Sequence, residues 1–78
     1  MAVRAYILVE TEMGKTRPVA RTLLLDKNVL YADIVTGPFD VVVLLEASDL
    51  REVGEIVFSG IHAIPGIIRT TTCLAVPS

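Results

Sequence analysis

The chain has one cysteine, one histidine and no tryptophan among its 78 residues. A single cysteine excludes an intrachain disulfide, and Cys73 with His62 cannot supply the four ligands of a structural zinc ion. We therefore expect no metal and no cofactor. A domain of this length buries only about 60% of the surface that its unfolded chain exposes, so a monomer would be marginally stable. Oligomerisation is the remaining source of extra stability.

The chain also lacks an excess of positive charge. Seven basic residues stand against nine acidic ones, which gives a net charge of −2 and an isoelectric point near 5.2. Nucleic-acid binding depends on clustered Lys and Arg side chains that neutralise phosphates. The one loose basic group, Lys15, Arg17 and Arg21, fits the solvated face of a helix. We expect no direct nucleic-acid binding.

Long hydrophobic runs are missing as well. The apolar stretches at 5–9 and 41–45 stop at Glu10 and Glu46, far short of the roughly 18 to 20 residues of a membrane span. Arg4 precedes only five apolar residues, too few for the core of a signal peptide. These features predict a soluble, cytoplasmic protein with no membrane partner.

Hydrophobic periodicity predicts four strands and two helices. Thr16 is the expected cap of the first helix, and Ser48 and Asp49 precede the second, with Glu52 in capping-box relation to Asp49. The second helix should bury one stripe, made of Leu50, Val53, Val57 and Ile61. The strands are predicted at 4–10, 29–35, 39–47 and 67–76, and the helices from 16 to about 26 and from 50 to before Pro65.

The order βαββαβ predicts an α+β, ferredoxin-like sandwich, in which two helices cover one face of a four-stranded antiparallel sheet. The first and third strands should be central, and neither alternates apolar with polar residues. Both of their faces must then be buried, although the helices cover only one. Burying four such side chains is worth about 6 to 12 kcal/mol before association costs. We expect a sheet-to-sheet homodimer through one of the two sheet faces. Tyr6, Leu8, Val42 and Leu44 should share one face, and Ile7, Val9, Val43 and Leu45 the opposite face.

Few residue types in the chain suit catalysis. His62 lies near a helix end without an obvious base partner, which favours a structural or capping role. Cys73 has apolar strand neighbours and should fill space. The glutamates show no metal-ligand spacing. We predict no catalytic residue, no metal site and no enzyme. The alternative that stays open is a small dimeric α/β-sandwich enzyme acting at the sheet interface.

The segment Thr-Gly-Pro-Phe-Asp at 36–40 is a tight reversal between two apolar strands. Its exposed amides could receive a small polar or anionic ligand, although a plain hairpin turn capped by Asp40 is the competing interpretation. With Ala-Tyr-Ile-Leu-Val at 5–9, Ile-His-Ala-Ile-Pro-Gly-Ile at 61–67 and Arg-Thr-Thr-Thr at 69–72, it resembles the effector-binding RAM domain of the Lrp/AsnC transcriptional regulators. Those regulators also carry an N-terminal helix-turn-helix, whereas we expect one domain, 1–78, without it.

This resemblance implies an amino acid effector bound in a cleft between subunits, in dimers that assemble into octamer or decamer-type rings. It also implies possible hetero-association with DNA-binding relatives, and a role in transcription or amino-acid metabolism. Asp40 would pair with the ligand's ammonium group, while turn amides and threonine hydroxyls would bind its carboxylate. In the competing interpretation the threonines are ordinary strand formers. The implied ligand-binding residues are Gly37, Pro38, Phe39, Asp40, Thr70, Thr71 and Thr72.

Overall fold

The computed structural model describes residues 2–77 and has the predicted ferredoxin-like α+β fold. Its four strands form one antiparallel sheet in the order β2-β3-β1-β4. The long second helix is regular only in its first part and then continues as a π turn at Ile56–Gly60 and a 3₁₀ turn at Ile61–Ala63. The elements are β1 Val3–Thr11, α1 Thr16–Leu23, β2 Val29–Ile34, β3 Val41–Ala47, α2 Leu50–Glu55 and β4 Ile67–Leu74.

The register of the two central strands confirms their predicted faces. Tyr6 lies opposite Leu44 and Leu8 opposite Val42, so these four side chains share what we call the open face. The other side, the helix face, lies beneath α1 and α2. The fully buried side chains of the helix-face core are Ala5, Ile7, Val9, Val41, Val43 and Leu45 from the sheet, with Val19 from α1.

Both helices lie toward one side of the sheet. The main contacts of α1 are with β2 and β3, and those of α2 are with β3 and β1. The edge strand β4 pairs with β1 but lies outside the main area of contact between either helix and the sheet. As a result the helix-face side chains of β4 border a groove along the flank of α2.

Two details of the helices correct the sequence predictions. Thr16 is the first residue of α1 and not its cap, since the cap position is held by Lys15 without a side-chain hydrogen bond. The helix ends at Leu23 because a turn follows, in which the Asn28 amide donates to Asp26 Oδ1 at 2.8 Å.

The second helix starts as predicted. The Glu52 amide donates to Asp49 Oδ1, the cap side chain, at 2.8 Å. Glu52 Oε1 accepts from the amide of Ser48, the residue before the cap, at 2.7 Å, so the return bond of the capping box is shifted by one residue. Of the predicted buried stripe, Val53, Val57 and Ile61 are buried, but Leu50 is 61% exposed. Leu50 is exposed because it borders the groove beside β4, at a flank of the helix that the other described residues leave open.

Candidate functional site

The 36–40 turn is held in shape by its backbone. Gly37 has a φ of +117°, a conformation that L side chains rarely adopt, and a Cβ there would meet no atom within 4 Å. The need for glycine is therefore conformational and not steric. Gly37 and Pro38 are exposed, whereas Phe39 and Asp40 are half-buried. The Val35 amide donates to the Asp40 carbonyl at 2.9 Å, which closes the turn.

Asp40 links this turn to the end of β1. Its amide donates to the Val9 carbonyl at 2.9 Å, and its Oδ2 accepts a hydrogen bond from the Thr11 amide at 2.8 Å. The carboxylate thus links the turn to β1, whereas the competing interpretation of the sequence had it cap the turn itself. This hydrogen bond uses one carboxylate oxygen, and a carboxylate has acceptor capacity to spare. Asp40 therefore has a structural role, and a role in ligand binding would be additional to it.

We expect Asp40→Ala to lower the free energy of unfolding by about 1 to 3 kcal/mol, because the amide of the buried Thr11 loses its acceptor. Asp40→Asn keeps an oxygen acceptor at the same place and should cost less. Urea denaturation of both variants beside the wild type measures the difference. Equal stability of Asp40→Ala and wild type would show that water replaces the carboxylate without loss.

The three candidate threonines of β4 do not share one face. Thr70 lies opposite Val9 and Thr72 opposite Ile7, which places both on the helix face. Thr71 lies opposite Leu8 and belongs to the open face. The structure thus brings Thr70 and Thr72 together and separates Thr71 from them.

Thr70 and Thr72 border a groove of about 500 Å³ between the second helix and β4. Its walls are mainly aliphatic, with hydroxyls along the strand side and one imidazole. The 36–40 turn does not contribute to it. The lining residues are Leu50, Val53, Gly54, Val57, Phe58, His62, Thr70, Thr72 and Leu74.

His62 is the groove residue that sequence reasoning missed. Its Nε2 lies 2.7 Å from Thr70 Oγ1, and its ring meets Phe58 edge-on, with centroids 5.4 Å apart and planes at 88°. The π turn, in which the Ile61 amide donates to the Ile56 carbonyl, leads into the short turn that carries His62. The available signal was the short Pro-Gly connection, which joins the helix end directly to the strand that carries Thr70.

The turn and the groove lie at the same end of the sheet but on opposite sides of β1. Asp40 bonds to Val9 from the β3 side, and Thr70 pairs with Val9 from the β4 side. Two strand spacings separate their backbones, about 10 Å. The predicted ligand residues of one chain therefore fall into two separate groups, with Thr71 apart from both.

The open face has an apolar centre and a charged rim. Leu44 is 7% exposed, Leu8 and Val42 are half-buried, and Tyr6 and Tyr31 are each nearly 40% exposed. At the rim, Arg4 Nε lies 3.1 Å from Glu46 Oε2, and Arg69 Nε lies 3.9 Å from Glu10 Oε2. An apolar core within a polar rim is the usual composition of a protein interface.

Two further observations concern chemistry in residues 2–77. No group of three or more His, Cys, Asp or Glu side chains in that part of the chain could hold a metal ion. Cys73 does not fill space as expected, because it is exposed on β4 opposite Tyr6.

None of the helices described is long and apolar enough to cross a membrane.

The family model for the Lrp/AsnC ligand binding domain matches residues 4–77. The chain belongs to this family. Membership in the Lrp/AsnC family confirms the resemblance inferred from the four sequence motifs. A search of curated proteins found no match.

Solved structures place this Lrp/AsnC domain among close structural neighbours. A Pyrococcus horikoshii protein, PHS023, is 33% identical over 97% of this chain and 92% of its own, with a TM-score of 0.90. TTHA0845 from Thermus thermophilus is 28% identical over 97% and 95%, with a TM-score of 0.93. The transcriptional regulator NMB0573 from Neisseria meningitidis, solved as a complex with L-Met, is 17% identical and shows the same fold. The match covers 96% of this chain and 50% of that chain, at a TM-score of 0.87.

Proposed function

We propose that this Lrp/AsnC domain binds an amino acid as an effector and responds through its state of assembly. The observation that carries the proposal is the division of the polar groups into two partial sites, the 36–40 turn and the groove at Thr70 and Thr72, on either side of β1. A neighbouring subunit that brings its turn to this groove would complete a cleft. The family's description as a ligand-binding domain and the L-Met complex of the Neisseria regulator support this.

The chemistry of the two partial sites is complementary to an amino acid. Asp40, and the exposed amides of Gly37 and its neighbours, form one partial site, in which the carboxylate pairs with the ligand's ammonium group. The hydroxyls of Thr70 and Thr72 bind its carboxylate, and the aliphatic groove walls accept its side chain. Thr71, on the open face, lies outside this cleft.

Assembly would begin at the open face. Two copies pack sheet to sheet and bury the apolar centre around Leu44, while the charged rim stays at the periphery. Such dimers then join into octamer or decamer-type rings, in which turn and groove meet between dimers. In this proposal the domain acts in the cytoplasm and modulates transcription or amino-acid metabolism, alone or by joining DNA-binding relatives.

The proposal treats the domain as a sensor and not as an enzyme. The alternative was a small enzyme acting at the sheet interface, with His62 as the only imidazole. His62 bonds to Thr70 on the helix face, on the far side of the sheet from the open face. The structure therefore offers that alternative no supporting contact.

A panel of the twenty amino acids, tested by thermal melting and native mass spectrometry, examines the proposal. Effector at 100 times its dissociation constant should stabilise the protein by about 2.7 kcal/mol. That corresponds to a rise in Tm of about 10 to 20 °C for a domain of this size. We expect one chemical class of amino acid to give this shift and to change the oligomer size.

Asp40→Asn is the informative variant because it retains the acceptor for the Thr11 amide while removing the charge. We expect it to weaken effector binding about tenfold or more, the usual loss for a hydrogen bond to a charged group. Glu55→Gln, which removes a charge from an exposed side chain paired with Arg51, is the control. Binding by Asp40→Asn as tight as in the control would remove Asp40 from the site.

A further inference from the structure

The groove beside β4 has an uneven distribution of polar groups. Val53, Val57 and Leu74 supply aliphatic walls, and the polar groups are His62 and the two threonine hydroxyls. Among residues 2–77, no acidic side chain lines the groove, and His62 is the only titratable residue that does. An anionic group in this groove would therefore meet hydrogen-bond donors and no repelling carboxylate.

The imidazole is held in place from two sides. Thr70 Oγ1 contacts Nε2 at 2.7 Å, and the ring of Phe58 packs edge-on against it. Both neighbours also line the groove, so the ring sits between a polar strand and an apolar helix flank. A ring fixed in this way loses less rotamer freedom when it binds a ligand than a mobile side chain would.

We propose that His62, paired with Thr70, recognises the α-carboxylate of an amino acid whose apolar side chain lies along the aliphatic walls of the groove. The inference rests on the proposed function and names the ligand class and one recognition group. His62 was not among the residues that the sequence motifs assigned to the site.

The apolar walls explain why the side chain should be aliphatic, thioether or aromatic. An apolar side chain along Val53, Val57 and Leu74 gains free energy by leaving water. A charged side chain in the same place would be desolvated without an opposite charge, which is unfavourable. The hydrogen bond between His62 and Thr70 uses one donor of the pair and leaves at least one for the ligand, and the Thr72 hydroxyl supplies another. Donors at the carboxylate end and an uncharged wall thus discriminate at both ends of the ligand.

The test is calorimetric titration with a panel of apolar, acidic and basic amino acids. The tightest-binding apolar amino acid is then compared with its carboxamide, which has the same side chain and no carboxylate. Wild type should prefer the acid about tenfold or more, because a hydrogen bond to a charged group is lost in the amide. In His62→Leu this preference should fall to about threefold or less, and Thr70→Val should reduce it in the same direction.

Two further variants serve as a conservative substitution and as a control. His62→Gln retains a donor at the same place and should keep part of the preference, and it replaces His62→Leu if that variant does not fold by circular dichroism. Ser59→Ala, an exposed position on the π turn outside the groove lining, should bind as wild type does.

The outcomes separate the two levels of the proposal. A ligand preference for apolar amino acids, with discrimination against the amide lost in His62→Leu, supports the inference. Tightest binding by a charged amino acid, or unchanged discrimination in the His62 and Thr70 variants, overturns it while leaving an amino-acid sensor. Absence of binding by every amino acid overturns the proposed function, and this inference with it.

Discussion

Val42→Asp is expected to convert the proposed dimer into monomers. Val42 lies on the open face, opposite Leu8 and beside the buried Leu44. The substitution removes about 1.5 to 3 kcal/mol of apolar burial and adds a carboxylate that costs several kcal/mol to desolvate. A total on the order of 5 kcal/mol weakens the dimer more than a thousandfold. Analytical ultracentrifugation over a range of concentrations measures this directly.

Leu25→Asp is the matched control for Val42→Asp. Leu25 is 84% exposed, lies just beyond α1 and not on the sheet, and the substitution changes the net charge by the same amount. We expect it to sediment as wild type does. If Val42→Asp also sediments as wild type, the open face is not the dimer interface. Circular dichroism of both variants checks that the fold is retained.

Leu45 and Tyr6 lie on opposite faces of the sheet, and their truncations should separate the stability of the fold from that of the dimer. Leu45 is fully buried in the helix-face core, so Leu45→Ala should cost about 2 to 5 kcal/mol. At about 4 to 8 °C per kcal/mol, a loss of about 3 kcal/mol lowers Tm by roughly 10 to 25 °C.

Tyr6→Ala should instead weaken the dimer. Tyr6 is 39% exposed on the open face, so a partner subunit can still cover much of its ring. Loss of about 2 kcal/mol of this burial raises the dissociation constant more than tenfold. Leu45→Ala should leave the dissociation constant near its wild-type value, measured below the melting range. Melting curves at several protein concentrations show the same contrast, because an oligomer's Tm depends on concentration. A dissociation constant unaffected by Tyr6→Ala would argue against sheet-to-sheet packing.

Much of the fold followed from local rules in the sequence. The unbroken apolar runs of β1 and β3 predicted central strands with two apolar faces, and the register of Tyr6 with Leu44 confirms this. The capping box predicted the start of α2. The π turn was not predictable, because i to i+5 hydrogen bonds leave no residue signature in Ile56–Gly60. The exposure of Leu50 depends on where the helix lies over the sheet, which periodicity does not encode.

The candidate site was predicted less completely. The motifs indicated that the turn and the threonines bind ligand, but only the register of β4 with β1 shows that Thr71 and Thr70 lie on opposite faces of the sheet. The role of Asp40 at the Thr11 amide depends on a contact 29 residues away in sequence. His62 was assigned a structural role because its partner lies beyond a turn, on another element. Contacts between elements are the information that a residue pattern lacks.

The hydrogen bonds of Asp40 have a consequence for the entropy of binding. Its amide, carbonyl and carboxylate are engaged with Val9, Val35 and Thr11, so three separate points of the chain hold the turn. A loop that is already ordered loses little conformational freedom when a ligand arrives. The ordering cost, about 1 to 2 kcal/mol for each backbone residue fixed, is met once, when the chain folds. A small effector could then bind this turn without first having to immobilise it.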